Sequence, residues 1–306
     1  MPPVSLPDEV RAACAWVAER ARWVRIDEAR IEQYAAGLRQ AIESESAEER
    51  PAAREPEAAA AFAICMNAIN FGSGWWPTIR KRPGLSGYST MAAGVSERFD
   101  SIGPWGGEEL AAMSASEIGD VLGQDPGHPL MEQFAAALRD VGAHLLEDHG
   151  GRYLSVAEGA RSIPDLAAIL GGWESFADVS EYEGRRVPFY KRAQLAAADL
   201  CRAGVAELPG AELLTAFADN LVPHVLRVDG VVALDPALTE RIEAEELLVH
   251  GSPEEVELRA CAVQAIELLS AAASHSAAAI DSALWNRGRG RRYKSLPRPR
   301  SRNGAY

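Results

Sequence analysis

Three charged side chains interrupt apolar runs, and chemistry is read from them first. Lys191 and Arg192 open the stretch Lys191-Arg192-Ala193-Gln194-Leu195-Ala196-Ala197-Ala198, and Asp219 stands in Leu213-Leu214-Thr215-Ala216-Phe217-Ala218-Asp219-Asn220-Leu221-Val222-Pro223. In a helix, Leu214, Phe217 and Leu221 share one face and Asp219 flanks it. A buried carboxylate is costly unless paired. Paired with a lysine it stays ionised, ready to face developing positive charge. The same placement also fits a structural ion pair or a solvated face. Asp281 and Trp285 stand four apart with Asn286 beside them, a set able to stack a base and bind its edge, or an ordinary amphipathic helix end.

Other chemistries find less support. There is no GxSxG element, and His128, His144, His149, His224, His250 and His275 show no HExxH or i,i+4 pairing. His144 and His149 are five apart, poor spacing for one ion, so no metal is expected. No GxGxxG or GxxxxGK[ST] phosphate loop occurs. Cys14, Cys65, Cys201 and Cys261 form no CxxC pair and read as reduced, buried thiols. The formal net charge is -13. That argues against gripping the backbone of intact tRNA or DNA, but leaves room for a single nucleotide in a local basic pocket. The opening MPPVSLPDEV is polar, and no stretch approaches the roughly 18 apolar residues of a membrane span. A cytoplasmic protein is expected.

The elements that must position these residues read mostly as helices. Residues 8–24 place Val10, Cys14, Val17 and Ala21 on one face, and 27–43 continue with Ile31, Tyr34 and Leu38. The charged stretch 44–58, broken by Pro51 and Pro56, reads as a surface connection. Phe62, Cys65, Met66 and Ile69 mark an apolar helix that ends before Gly72. The segment 78–108 is the least regular, with room for a short hairpin. Helices are predicted over 108–122 and 130–149, then two short ones in 163–180 broken at Gly171-Gly172. Residues 181–187 fit a strand or a loop. Further helices are predicted over 188–204, 210–222, 235–248, 253–274 and 277–286. Of these, 253–274 has the clearest start, with Ser252 as cap, Pro253 at the first position and Glu255 closing a capping box. The tail from Arg287 is basic, without apolar period. The fold class predicted is all-α, a compact multi-helix domain with few or short strands. It spans 1–306 as a single domain, with 1–50 as a candidate N-terminal helical subdomain.

Several strings resemble the motifs of the queuosine 5'-phosphate N-glycosylase/hydrolase family, the queuosine salvage proteins. They are Phe189-Tyr190-Lys191-Arg192-Ala193-Gln194-Leu195, Thr215-Ala216-Phe217-Ala218-Asp219-Asn220 with Val222-Pro223, and Ala68-Ile69-Asn70-Phe71 before Trp75-Trp76. Ser86-Gly87-Tyr88, Glu255-Val256-Glu257-Leu258-Arg259, Asp281 with Leu284-Trp285, and the terminal Arg300-Ser301-Arg302 with Tyr306 complete the set. The matches keep their order from about residue 8 to the end of the chain. The resemblance implies an all-helical fold whose core is similar to the helix-hairpin-helix DNA glycosylases. It also implies a catalytic Lys191–Asp219 pair and a base pocket lined by Phe217, Asp281 and Asn286. Tyr88 is counted with the substrate-binding residues on the same ground. Departures concern detail: Asn286 and Asn67 stand where aspartates are found in relatives, and a second terminal tyrosine is missing.

Cleaving an N-glycosidic bond builds oxocarbenium character on the ribose, which a carboxylate near the anomeric carbon can stabilise, trap or relieve by activating water. Asp219 is predicted for that position, held by Lys191. Queuine is a 7-deazaguanine and lacks the N7 that a purine offers to an acid, so leaving-group help falls to the pyrimidine edge. Asp281 can accept from the N1–H and the exocyclic amine. Phe71, Phe217 and Trp285 are candidates to sandwich the base. Arg192, Lys294, Arg300 and Arg302 are candidates for the 5'-phosphate. No cofactor is required. The partner expected is the nucleotide itself, with no intact nucleic acid and no membrane.

Overall fold

The computed structural model describes residues 4–44 and 54–306. The expected surface connection and the candidate boundary near residue 50 lie mainly outside these residues. In chain order the helices are α1 (Leu6–Ala18), α2 (Ile31–Ser44), α3 (Pro56–Ala68), α4 (Gly87–Ile102), α5 (Gly107–Ala111), α6 (Ala115–Leu122), α7 (Pro129–Asp148) and α8 (Ile163–Gly171). They continue with α9 (Lys191–Arg202), α10 (Leu221–Val228), α11 (Pro236–Glu243), α12 (Pro253–Ala273), α13 (Ala277–Gly288) and α14 (Arg291–Lys294). Strands among the described residues are β1 (Val24–Ile26) paired antiparallel with β4 (Val232–Leu234), and β2 (Val179–Tyr182) paired with β3 (Arg185–Pro188). The mostly α expectation holds.

The chain divides into two compact units. The first holds the N-terminal residues through α2, residues 178–191 and residues 210–303. Its centre is α12, buried on every side over Glu255–Val263, with α1, α2, α10 and α13 packed around it. A helix buried on every face sits inside its unit, and its charged residues there must find partners. The side chain of Ser252 accepts from the Glu255 N–H, starting α12 as expected, while the Glu255 carboxylate reaches back one residue further than a capping box, to the Gly251 N–H. Glu257 is wholly buried and ties β1 to this helix. Its Oε2 accepts from the N–H groups of Arg22, Trp23 and Val24, and its Oε1 from the Tyr182 hydroxyl at 2.7 Å.

The second unit holds α3–α8, residues 192–209 and the last three residues, Gly304 to Tyr306. Here α7 is central, with α3, α5 and α6 against it. The approach of α5 is close enough that a Cβ on Gly142 would lie 2.4 Å from the Ala111 nitrogen, so only glycine fits.

Three local expectations are corrected. Segment 78–108 holds helix α4 rather than a hairpin: Ser86 caps it, and Met91, Val95 and Phe99 give it a buried face. The second half of 163–180 is a short 3₁₀ turn leading into β2 rather than a helix, and 181–187 is a hairpin whose Glu183 and Gly184 both have positive φ, as a tight two-residue turn demands. Most consequential, 210–222 is not one helix. A 3₁₀ turn ends at Leu213, residues 214–220 form no helix, and α10 begins at Leu221.

Candidate active site

Asp219 therefore sits just before a helix, not within one. Its Oδ1 accepts from the N–H groups of Leu221 (2.7 Å) and Val222 (3.3 Å), the work of an N-terminal capping carboxylate. The positive end of α10 stabilises the charge. Its Oδ2 lies 3.7 Å from the Lys191 ammonium. The lysine side chain is 8% exposed and the aspartate 15%. Lys191 is likewise at a helix start, the first residue of α9. Two chain segments 28 positions apart thus bring an ammonium and a carboxylate together in a nearly dry place.

Asp281, on α13, is the third member. Its Oδ1 accepts from the Phe217 N–H at 3.0 Å, which holds the non-helical run before Asp219 against α13. Burial, and then the charge of Asp219, push its carboxyl up to about 7, while the Phe217 N–H and Lys191 act the other way. Phe217 itself is buried. Trp285 and Asn286 stand one turn further along α13, both half-buried, and the Arg289 guanidinium lies 5.3 Å from the Trp285 ring centre.

The remaining predicted residues are placed as follows. Arg300 donates to the Glu245 carbonyl at 3.1 Å, and its own carbonyl accepts from the Leu248 N–H, so the C-terminal strap is anchored there. Arg302 is exposed, as is Lys294. Phe71, Tyr88 and Arg192 belong to the second unit. Phe71 is buried edge-on against Phe134, and Tyr88 is exposed near the start of α4. Arg192 is 2% exposed and donates to the carbonyls of Ala68, Gly304 and Ala305, with its guanidinium over the Phe71 ring. It clamps the C-terminal residues.

Sequence reasoning overlooked three side chains in this neighbourhood. Arg298 is half-buried, and its guanidinium interacts electrostatically with Asp219. Burial lowers it below the ordinary guanidinium value, Asp219 opposes that, and Arg300 adds to it. The flanking Pro297 and Pro299, which fix an extended backbone, were the available signal. Asp178 and Arg259 form a buried pair with Oδ2 and Nη2 2.6 Å apart. Arg259 sits in an apolar helix run, a visible oddity; Asp178 carried no signal. Among the described residues no group of His, Cys, Asp and Glu side chains is placed to hold a metal ion, and no helix is long and apolar enough to cross a membrane.

The chain is similar to known proteins. The family model described as queuosine salvage protein matches residues 50–304. A relative from Sphaerobacter thermophilus named queuosine 5'-phosphate N-glycosylase/hydrolase is 32% identical over 269 residues, 82% of each chain. One of the same name from Mus musculus is 28% identical over 285 residues, 86% of this chain and 84% of its own. A third, from Bos taurus, is 32% identical over 193 residues, 60% of this chain and 57% of its own.

Proposed function

The chain belongs to the queuosine salvage protein family, and from that premise we propose that it hydrolyses the N-glycosidic bond of queuosine 5'-phosphate, releasing queuine and ribose 5-phosphate. The observation that carries the proposal is the buried Lys191–Asp219 pair, 3.7 Å apart, with Asp281 beside it. In this reading Asp219 lies under the anomeric carbon. Its Oδ1 is committed to the start of α10, and Oδ2 faces the sugar as positive charge develops there. The Lys191 ammonium and the start of α10 hold the carboxylate in place. Water adds to the anomeric carbon and the departing base takes a proton.

Asp281 accepts from the N1–H and exocyclic amine of the base, which recognises that edge and fixes the base's orientation over the sugar. Phe217, Trp285 and Asn286 complete the base pocket. The phosphate is assigned to the basic C-terminal strap, through Arg298 and Arg302, since Arg300 is held by Glu245. Arg192 is assigned to the strap's support rather than to the phosphate, because its donors are turned to main-chain carbonyls.

The test is parallel incubation with queuosine 5'-phosphate, queuosine and guanosine 5'-phosphate, with free base followed by mass spectrometry. Queuine is expected from the first, faster than from the unphosphorylated nucleoside, and no guanine from the third. Guanine released from the third with no queuine from the first would refute the substrate.

A further inference from the structure

Resting on the assignment of Lys191 and Asp219 above, we propose that the buried Asp178–Arg259 ion pair sets the spacing of those two side chains, making both residues positioning residues for glycosidic cleavage. Arg259 is 1% exposed and Asp178 0%. Their contact is a two-pronged fork, Nη1 to Oδ1 at 2.9 Å and Nη2 to Oδ2 at 2.6 Å. This arrangement fixes orientation as well as distance.

What the pair holds is the main chain on either side of the site. The Arg259 Nε donates to the Ala218 carbonyl at 3.0 Å, one residue before Asp219. Asp178 Oδ2 accepts from the Lys191 N–H at 3.2 Å. The Asp178 carbonyl accepts from the N–H groups of Phe189 (2.9 Å) and Tyr190 (3.3 Å). The Phe189 ring centre lies 3.9 Å from the Arg259 guanidinium. One guanidinium and one carboxylate therefore join the backbone at 218 to the backbone at 191, while the Asp178 main-chain carbonyl holds 189 and 190.

Tyr190 shows why such a device is needed. Its φ is 50°, a left-handed conformation that a tyrosine adopts only when its surroundings hold it. That turn lies between β3 and Lys191. Two apolar residues of similar volume would fill the space and often match the stability of a buried ion pair. They offer no donor to Ala218 and no acceptor to Lys191.

The test uses full-length D178N and R259K. Queuosine 5'-phosphate is the substrate, and free queuine is the ligand that counts intact sites by calorimetry. Expressing kcat per queuine-binding site removes molecules lost to misfolding. A small displacement of the pair costs chemistry rather than binding, so kcat per site is expected to fall about 10- to 100-fold in each variant. KM and queuine affinity stay within about twofold of the parent. Should one variant resist purification, the other carries the same expectation, since R259K keeps the buried charge and loses the fork and the Nε donor to Ala218. A kcat per site within about twofold of the parent in either variant overturns the proposal. If K191M and D219N are also as active as the parent, the site assignment fails instead; if they are inactive while D178N or R259K is unaffected, only the positioning role fails.

Discussion

Asp219 divides its two oxygens between two tasks, and Asp281 is the residue that feels the consequence. One Asp219 oxygen caps α10 and the other meets Lys191, beside a second, fully enclosed carboxyl. Asp281 is thereby pushed up to about 7, first by burial and then by Asp219. The folded chain holds a proton there that an unfolded one would release near 3.8. The resulting contribution to stability is present at low pH and is lost as pH rises through about 7. For binding, the order is reversed. The base edge offers two donors, so Asp281 must be ionised to receive it. Queuine affinity measured by calorimetry is expected to weaken about tenfold per pH unit below pH 7 and to level off above it. D281N should abolish that dependence. Affinity that is flat in the parent, or that improves in acid, contradicts the acceptor role.

At the scale of elements, the decisive piece is the non-helical run 214–220. The sequence offers it the apolar spacing of a helix, yet tertiary partners win: Asp281 takes the Phe217 N–H and Arg259 the Ala218 carbonyl. Those bonds come from α13 and α12, far away in sequence, which is why local periodicity could not foresee them. Helix α12 itself was legible because its cap, its proline and its long apolar period all agree. Helix α4 was hidden behind the glycines and prolines that precede it. Lys191 and Asp219 were legible as oddities, a charge in an apolar run, but Asp178 lies in an unremarkable stretch and only the fold gives it a partner. Glu257 shows how strongly α12 organises its unit. Removing its carboxylate in E257A strands three main-chain N–H groups and a tyrosine hydroxyl. We expect a loss of roughly 3 kcal/mol or more, read as a lower urea midpoint. A midpoint unchanged from the parent would show that water replaces the carboxylate there without cost.

For the molecule as a whole, charge distribution matches a small anionic substrate better than a polymer. The net charge is -13, yet residues 287–302 carry Arg287, Arg289, Arg291, Arg292, Lys294, Arg298, Arg300 and Arg302 with no acid among them. Part of that basic segment is committed to the fold: Arg287 and Arg292 pair with Asp229, and Arg300 with Glu245. Arg298 is the member whose guanidinium interacts with Asp219. A local basic strap on an acidic protein suits one phosphate group in a pocket. The proposed reaction turns on Asp219, and the most direct measurement is queuine release from queuosine 5'-phosphate by D219N, compared with the parent at equal queuine-binding capacity. Release is expected to fall about 1000-fold or more while queuine still binds, because the substitution keeps the shape and removes the charge. A D219N protein that turns over within about tenfold of the parent would contradict a catalytic carboxylate at this position.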